Sequence, residues 1–252
     1  WRRKTGFSLK NRVHIEAPDI SFNYKYLLLA NGDYNVNPII CSVFTAYKNN
    51  KITDDCILIK VREIDTNNDG RKDILKFEAH FYTEKPIKSI KVLLFFNFTL
   101  KQLFVATIES IAVFDYVLNK ETQRIQFSGD LILQQKGLLS SKGLYETYNY
   151  SIEMTDHSLE ELLMQNDYRK FSAKLSNVHV TGQSGFSSED VIVIHGLLTY
   201  REYLIHYQPT VWEELKWAWV QYLAYLLVFL YVAKHTLIFL LSKRYLNCYI
   251  VV

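Results

Sequence analysis

A long apolar run near the C-terminus constrains this chain more than any other feature. Between Trp217 and Ala233 the one strongly polar side chain is Gln221. As a helix, that stretch reaches about 25 Å, slightly short of a hydrocarbon core of about 30 Å. Lys234 and His235 interrupt the run, and residues 236–241 resume it. A lysine at that depth can snorkel toward the headgroups, so the span continues past it. Trp212, Trp217, Trp219, Tyr222 and Tyr225 crowd the N-terminal end, as an interfacial aromatic belt does. Thr210, after Pro209 and three residues before Glu213, reads as the N-cap of a capping box. The sequence therefore predicts a transmembrane helix over residues 210–242, beginning outside the bilayer, with a tail at 243–252.

Charge sets the expected orientation. Glu213, Glu214 and Lys216 flank the entry side, and Lys234, His235, Lys243 and Arg244 flank the exit side. The positive-inside rule puts the tail in the cytosol and residues 1–209 outside it. The basic start at Arg2, Arg3 and Lys4 runs against this. Gln221 lies about one turn inside the span from Trp217. Its amide needs a partner in hydrocarbon, so it reads either as a membrane-helix contact or as an interfacial side chain that reaches water.

The preceding two hundred residues read as one β-rich extracytoplasmic domain. Eighteen Tyr and fifteen Phe, with many Ile and Val, favour strands. Strand patterns fall at 12–17, 22–30, 39–46, 56–64, 74–81, 87–100, 104–118, 124–135, 146–153, 191–198 and 200–207. Many short strands with turns between them predict a β-sandwich. One helix is predicted at 158–170, capped by Ser158, with Leu159, Leu162 and Leu163 on its apolar face. Cys41 and Cys56 can bridge in an oxidising compartment or remain buried thiols. Cys248 follows the anchor. A net charge of +3 without a basic stripe gives no footprint for nucleic acid. No phosphate loop, zinc motif or nucleophile elbow is present, and the seven histidines are dispersed, so the reading is not an enzyme.

One motif carries chemistry. Asp65, Asn67, Asp69 and Asp73, with Gly70 between them, spell D-x-N-x-D-G-x-x-D. Oxygen side chains at positions 1, 3 and 5 converge when the chain curls round a hard cation; Gly70 permits the turn, the Arg71 carbonyl can face inward, and Asp73 closes the ring. Lys76 stands where an EF-hand needs Glu, and strands flank the loop, so it resembles the calcium loops between strands of integrin-type propeller blades. The same residues also suit a metal-free turn. Two glycosylation sequons occur, at Asn97 and Asn149; Asn149 sits nearer turn residues, and Asn97 lies in an apolar strand.

Three stretches together resemble the transmembrane protein 231 family: residues 62–77 (REIDTNNDGRKDILKF), 129–151 (GDLILQQKGLLSSKGLYETYNYS) and 207–230 (YQPTVWEELKWAWVQYLAYLLVFL). The resemblance implies two transmembrane helices around a large extracytoplasmic domain, with this chain starting at Trp1 just after the first. It also implies a non-catalytic subunit of the Meckel-type complex at the ciliary transition zone, contributing to the diffusion barrier there and to cilium assembly. The implied partners are other transition-zone membrane proteins, cytosolic subunits of that complex and the lipid bilayer. The competing reading is a calcium-dependent adhesion or ligand-binding ectodomain at a generic cell surface.

Overall fold

The structure is a computed structural model that describes residues 14–32, 38–44, 56–83, 86–101, 106–120, 122–140, 159–183, 191–208 and 211–243. It divides into two compact units, one holding the bulk of residues 13–207 and the other holding residues 208–252 with short segments from elsewhere.

The first unit is a β-sandwich with a helix laid on one face. Its strands are β1 (His14–Glu16), β2 (Asp19–Asn31), β3 (Ile39–Ser42), β4 (Cys56–Ile64), β5 (Ile74–Tyr82), β6 (Ser89–Leu100), β7 (Ala106–Val117), β8 (Arg124–Gln135), β9 (Leu139–Ser140), β10 (Phe171–Gln183), β11 (Val191–Tyr200) and β12 (Ile205–Gln208). One sheet runs β3-β2-β6-β7, the second β10-β8-β11-β5-β4, and a small third β1-β12-β9. Neighbours are antiparallel in the first sheet, while β11 lies parallel to β8 in the second. The predicted β-sandwich is the observed architecture.

Strand β6 explains the layering. Ile90, Val92, Leu94, Phe96, Phe98 and Leu100 alternate onto the shared core between the sheets, where they meet Phe77, Phe81, Phe127 and Leu198. On its other face Leu93 and Phe95 join Leu27, Ile111 and Leu162 in a second buried cluster. Leu162 belongs to helix α1 (Leu159–Tyr168), the helix predicted at 158–170. A strand covered on both faces reads as an apolar run rather than an alternation. That is why residues 87–100 carry so little polar character.

The open side of β7 is closed by side chains rather than by another strand. Asn166 of α1 is buried; its Oδ1 accepts from Ile111 N (3.4 Å) and Ser110 Oγ (3.2 Å), and its Nδ2 donates to Ile111 O (3.3 Å). Ser110 Oγ in turn accepts from Ala173 N of β10 (2.7 Å). An unpaired strand edge is an aggregation template, and this amide covers it. On the far side Cys41 of β3 is bridged to Cys56 of β4, with Cα atoms 5.9 Å apart. Both are edge strands, so the bridge staples one sheet to the other.

A half-buried carboxylate adds a third tie between the sheets. Glu63 Oε1 of β4 accepts from Phe22 N of β2 (2.7 Å) and from the Tyr200 hydroxyl of β11 (2.8 Å). Burial, and then the neighbouring Glu63 charge, push the Tyr200 hydroxyl well above its ordinary pKa. Opposite this contact β2 breaks register between Phe22 and Tyr26, and Tyr24 takes φ 56°.

The second unit contains helix α2 (Val211–Ser242), continuous through Lys234 and His235. Its apolar part, Ala218–Ser242, is 25 residues long and none of it is buried. At 1.5 Å per residue it reaches about 37 Å, enough to cross a hydrocarbon core of about 30 Å. Thr210, the expected cap, lies outside the described residues, as does the strand predicted at 146–153.

Two expectations change. Strand β10 has no counterpart in the sequence reading, and the strand predicted at 200–207 shrinks to β12 because residues 201–204 are not in a strand. In β10 the register with β8 shifts between Ser176 and His179, and Asn177 sits at φ 51°. Asparagine tolerates that left-handed geometry. The bulge resets the alternation, and the second half of the strand is largely exposed, so no period-2 pattern survives to be read.

Gly196 of β11 is required by packing. A Cβ there would stand 2.4 Å from Phe127 Cζ, and the Phe127 ring cannot retreat because it stacks on Phe114 with centroids 4.0 Å apart. Gly196→Ala is expected to destabilise the full chain in detergent by about 1–3 kcal/mol, the usual cost of overpacking; thermal unfolding measures it, and an unchanged midpoint would contradict the packing described.

Candidate functional site

The loop joining β4 to β5 is the most chemically distinctive segment of the β unit. Asp73 N donates to Ile64 O (2.9 Å) and closes the base of the hairpin, while Tyr200 N donates to Asp73 O (2.7 Å) and ties it to β11. Above that base the motif side chains turn inward onto the loop's own backbone. Asp65 Oδ2 accepts from Gly70 N (2.9 Å), and Asp73 Oδ2 accepts from Thr66 N (2.8 Å) and Asn67 N (3.4 Å). Asn67 Oδ1 accepts from Asp69 N (3.0 Å), and Asn67 Nδ2 donates to Asp69 Oδ2 (3.0 Å). Arg71 N donates to Asp69 Oδ1 (2.7 Å). Asn68 and Gly70 occupy positive φ, 57° and 85°, which curls the chain as the spacing requires and which Gly70 adopts without steric cost.

The structure thus places Asp65, Asn67, Asp69 and Asp73 in one loop, where their oxygens accept from the loop's own N–H groups. Among the described residues no three His, Cys, Asp or Glu side chains converge as a ready-made metal site. The donors nevertheless suit a hard cation. They are all oxygens, and Asp65 Oδ1 is buried without a hydrogen-bond partner, an arrangement that a polar atom rarely keeps without compensation. Asp65 is also held by its other oxygen, so the free one is fixed in place.

The remaining sequence candidates do not gather around this loop. Asn97 lies mid-strand in β6, half-buried, with Ser21 and Glu109 opposite it on the two neighbouring strands. Asn149 lies outside the described residues. Gln221 is an exposed side chain on α2. Sequence reasoning gave Glu63 and Asn166 no role; a lone Glu in a strand and a lone Asn in a helix carry no motif, and only the assembled fold shows what they bind.

Near the loop, the chain after β11 is pinned by a polar contact. Asp130 accepts from Asn177 Nδ2 (3.0 Å) and pairs with Arg201 Nε (3.1 Å). The Asn177 hydrogen bond first, and then the Arg201 guanidinium, hold the Asp130 carboxyl below the usual carboxylate range. The segment from Arg201 to Leu204 is therefore anchored at its first residue, beside the base of the acidic loop.

Together the fold and these sites define a class: a β-sandwich carried on a single described membrane-spanning helix, with a cystine between its sheets and an acidic loop at one end. The family model described as Transmembrane protein 231 matches residues 1–250. Proteins of that name are similar throughout: the one from Xenopus tropicalis is 30% identical over 255 residues, covering 97% of this chain and 81% of its own length. The one from Homo sapiens is 30% identical over 258 residues (96% and 80%), and the one from Mus musculus 29% over 254 residues (96% and 80%). The chain belongs to the transmembrane protein 231 family, a family of membrane proteins.

Proposed function

We propose that this chain is a non-catalytic membrane subunit of the Meckel-type complex at the ciliary transition zone, where it contributes to the diffusion barrier at the ciliary base and to cilium assembly. The match of the family across residues 1–250 carries the reading. The sandwich faces the extracytoplasmic side and the tail from Lys243 lies in the cytosol. The cystine favours this orientation because such bonds persist in oxidising compartments, and the charge asymmetry around α2 agrees. Both sequons then lie on the glycosylated side, and Asn149 is the acceptor we assign. Gln221, a polar group in an otherwise apolar span, is the contact through which α2 meets a second membrane helix, worth roughly 0.6–2 kcal/mol. A tagged full-length chain is expected to form a ring at the base of the cilium. A uniform plasma-membrane signal would overturn the assignment in favour of a generic cell-surface role.

The loop at Asp65 supports a calcium site within this reading. Asp65, Asn67, Asp69, Asp73 and the Arg71 carbonyl would hold the ion, which would tie the hairpin end of β4 and β5 into one rigid turn. The supporting observation is the orphaned Asp65 Oδ1. A ligand bound only by the folded state, at a hundred times its dissociation constant, stabilises by about 2.7 kcal/mol. Saturating calcium is therefore expected to raise the unfolding midpoint of the detergent-solubilised chain, and Asp69→Ala to abolish the rise. Equal responses from wild type and variant would remove the ion from the account.

A further inference from the structure

The outer face of the five-stranded sheet gathers positive charge that no run in the sequence announces. The inner face carries Phe77, Ala79 and Phe81 of β5 with Ile125 and Phe127 of β8, so the residues that alternate with them point outward. Register puts Lys60 opposite Glu78 and Arg62 opposite Lys76, with His195 and Leu197 opposite Glu78 and Lys76 on the other side. Arg124 continues the same face, since it pairs with Val193 and Val193 pairs with His80. Lys60, Arg62, Lys76 and Arg124 are all exposed. Adjacent strands stand about 4.8 Å apart and alternate residues along a strand about 6.8 Å apart, so Lys60, Arg62 and Lys76 crowd one small area.

The pairing of Arg62 with Lys76 points to a ligand. Like charges directly opposite on antiparallel strands destabilise the sheet. Among the described residues neither side chain has an ion pair or a hydrogen bond to relieve this. The three cross-strand rows that start at Leu58, Lys60 and Arg62 contain a single carboxylate, Glu78. It is already engaged, with His80 Nε2 2.9 Å from its Oε1. Elsewhere on the β unit lysines do find carboxylates, as Lys91 finds Asp115 at 3.1 Å. A like-charged pair kept without a counter-charge presents its field to an incoming anion.

We propose that this face binds a sulfated polysaccharide, with Lys60, Arg62 and Lys76 as the central anion contacts and Arg124 at the margin. Binding of this kind rests on the extracytoplasmic placement of the sandwich, not on the ciliary assignment. Anionic lipid headgroups concentrate on the cytoplasmic leaflet, which leaves acidic glycans and acidic protein segments as the polyanions on the other side. A protein interface is built round an apolar core with aromatic anchors. Here Leu58, Val193 and Leu197 are held apart by His80 and His195, and no Tyr, Trp or Phe stands in the three rows. A chain that carries dense sulfate charge and little apolar surface matches such a face.

The test measures heparin binding by the purified chain of residues 1–252 in neutral detergent. A chelator is included, because the loop from Asp65 to Asp73 adjoins Arg62 and Lys76. Wild type is expected to bind, and its affinity to fall as salt rises. Lys76→Glu is expected to weaken binding about tenfold, or about 1.4 kcal/mol. The same change is expected to raise the thermal midpoint, since it turns a like-charged cross-strand pair into an opposite one; a merely structural role for Lys76 would lower both. Lys76→Arg is expected to bind as wild type does. Lys91→Glu makes the same charge change on β6 of the other sheet and is expected to alter affinity less than about twofold. Failure of wild type to bind at low salt, undiminished binding by Lys76→Glu, or an equal loss in Lys91→Glu would overturn the proposal. Displacement of heparin by polyglutamate as effective as by heparin itself would also overturn it, in favour of an acidic protein segment. A cytosolic sandwich would show as free thiols at Cys41 and Cys56 and would leave this assay unchanged, so the two failures are separate.

Discussion

One covalent bond decides how the two sheets of this domain are held. Cys41 and Cys56 sit on β3 and β4, the edge strands on one side of the sandwich. The opposite side is closed by noncovalent means, through Asn166, Ser110 and the start of β10. A sandwich with one open flank can splay; the cystine prevents it and, by closing a loop of 15 residues, restricts the unfolded chain by about 3 kcal/mol. Everything inside follows from the sheets staying face to face. The stacked Phe114 and Phe127, the fit of Gly196 beneath Phe127, and the Glu63 link from β4 to β2 and Tyr200 all span or line the space between them.

How much of this was legible in the sequence depended on whether a feature was local. Strands β4 and β8 were read to the residue; the alternation of Ile57, Ile59 and Val61 with Leu58, Lys60 and Arg62 marked β4, although Ile57 is exposed in the fold, and β8 alternates through most of its length. The apolar length of α2 was equally plain, since crossing a bilayer is a property of one segment. Strand β10 was invisible: its bulge at Asn177 and its exposed outer half erase the pattern. The Cys41–Cys56 pairing stayed open for a different reason. It depends on two edge strands from different sheets meeting, which no spacing in the sequence encodes. Glu63 and Asn166 were missed on the same ground, being long-range contacts made by residue types that usually face solvent.

The acidic loop shows both the reach and the end of motif reasoning. The spacing anticipated a sharp turn between two strands with Gly70 in it, and Gly70 of the β4–β5 loop takes positive φ. The spacing alone could not say that the motif's oxygens would be engaged largely by the loop's own N–H groups, leaving Asp65 Oδ1 as the orphan. Position matters as much as chemistry here. The loop and residues 201–204 lie at the same end of β11, where Tyr200 N donates to Asp73 O.

The central claim, a cystine-clamped sandwich on the extracytoplasmic side with its tail in the cytosol, is tested most directly by counting free thiols. The chain has three cysteines, two in the sandwich and Cys248 after the anchor. The chain of residues 1–252 is taken from cells under acid quench, denatured, and treated with a mass-shifting maleimide with and without prior reduction. The account predicts one added mass without reductant, lost on Cys248→Ser, and three after reduction. Three added masses without reductant would mean that Cys41 and Cys56 are free thiols in the cell, and would contradict both the clamp and the compartment inferred from it.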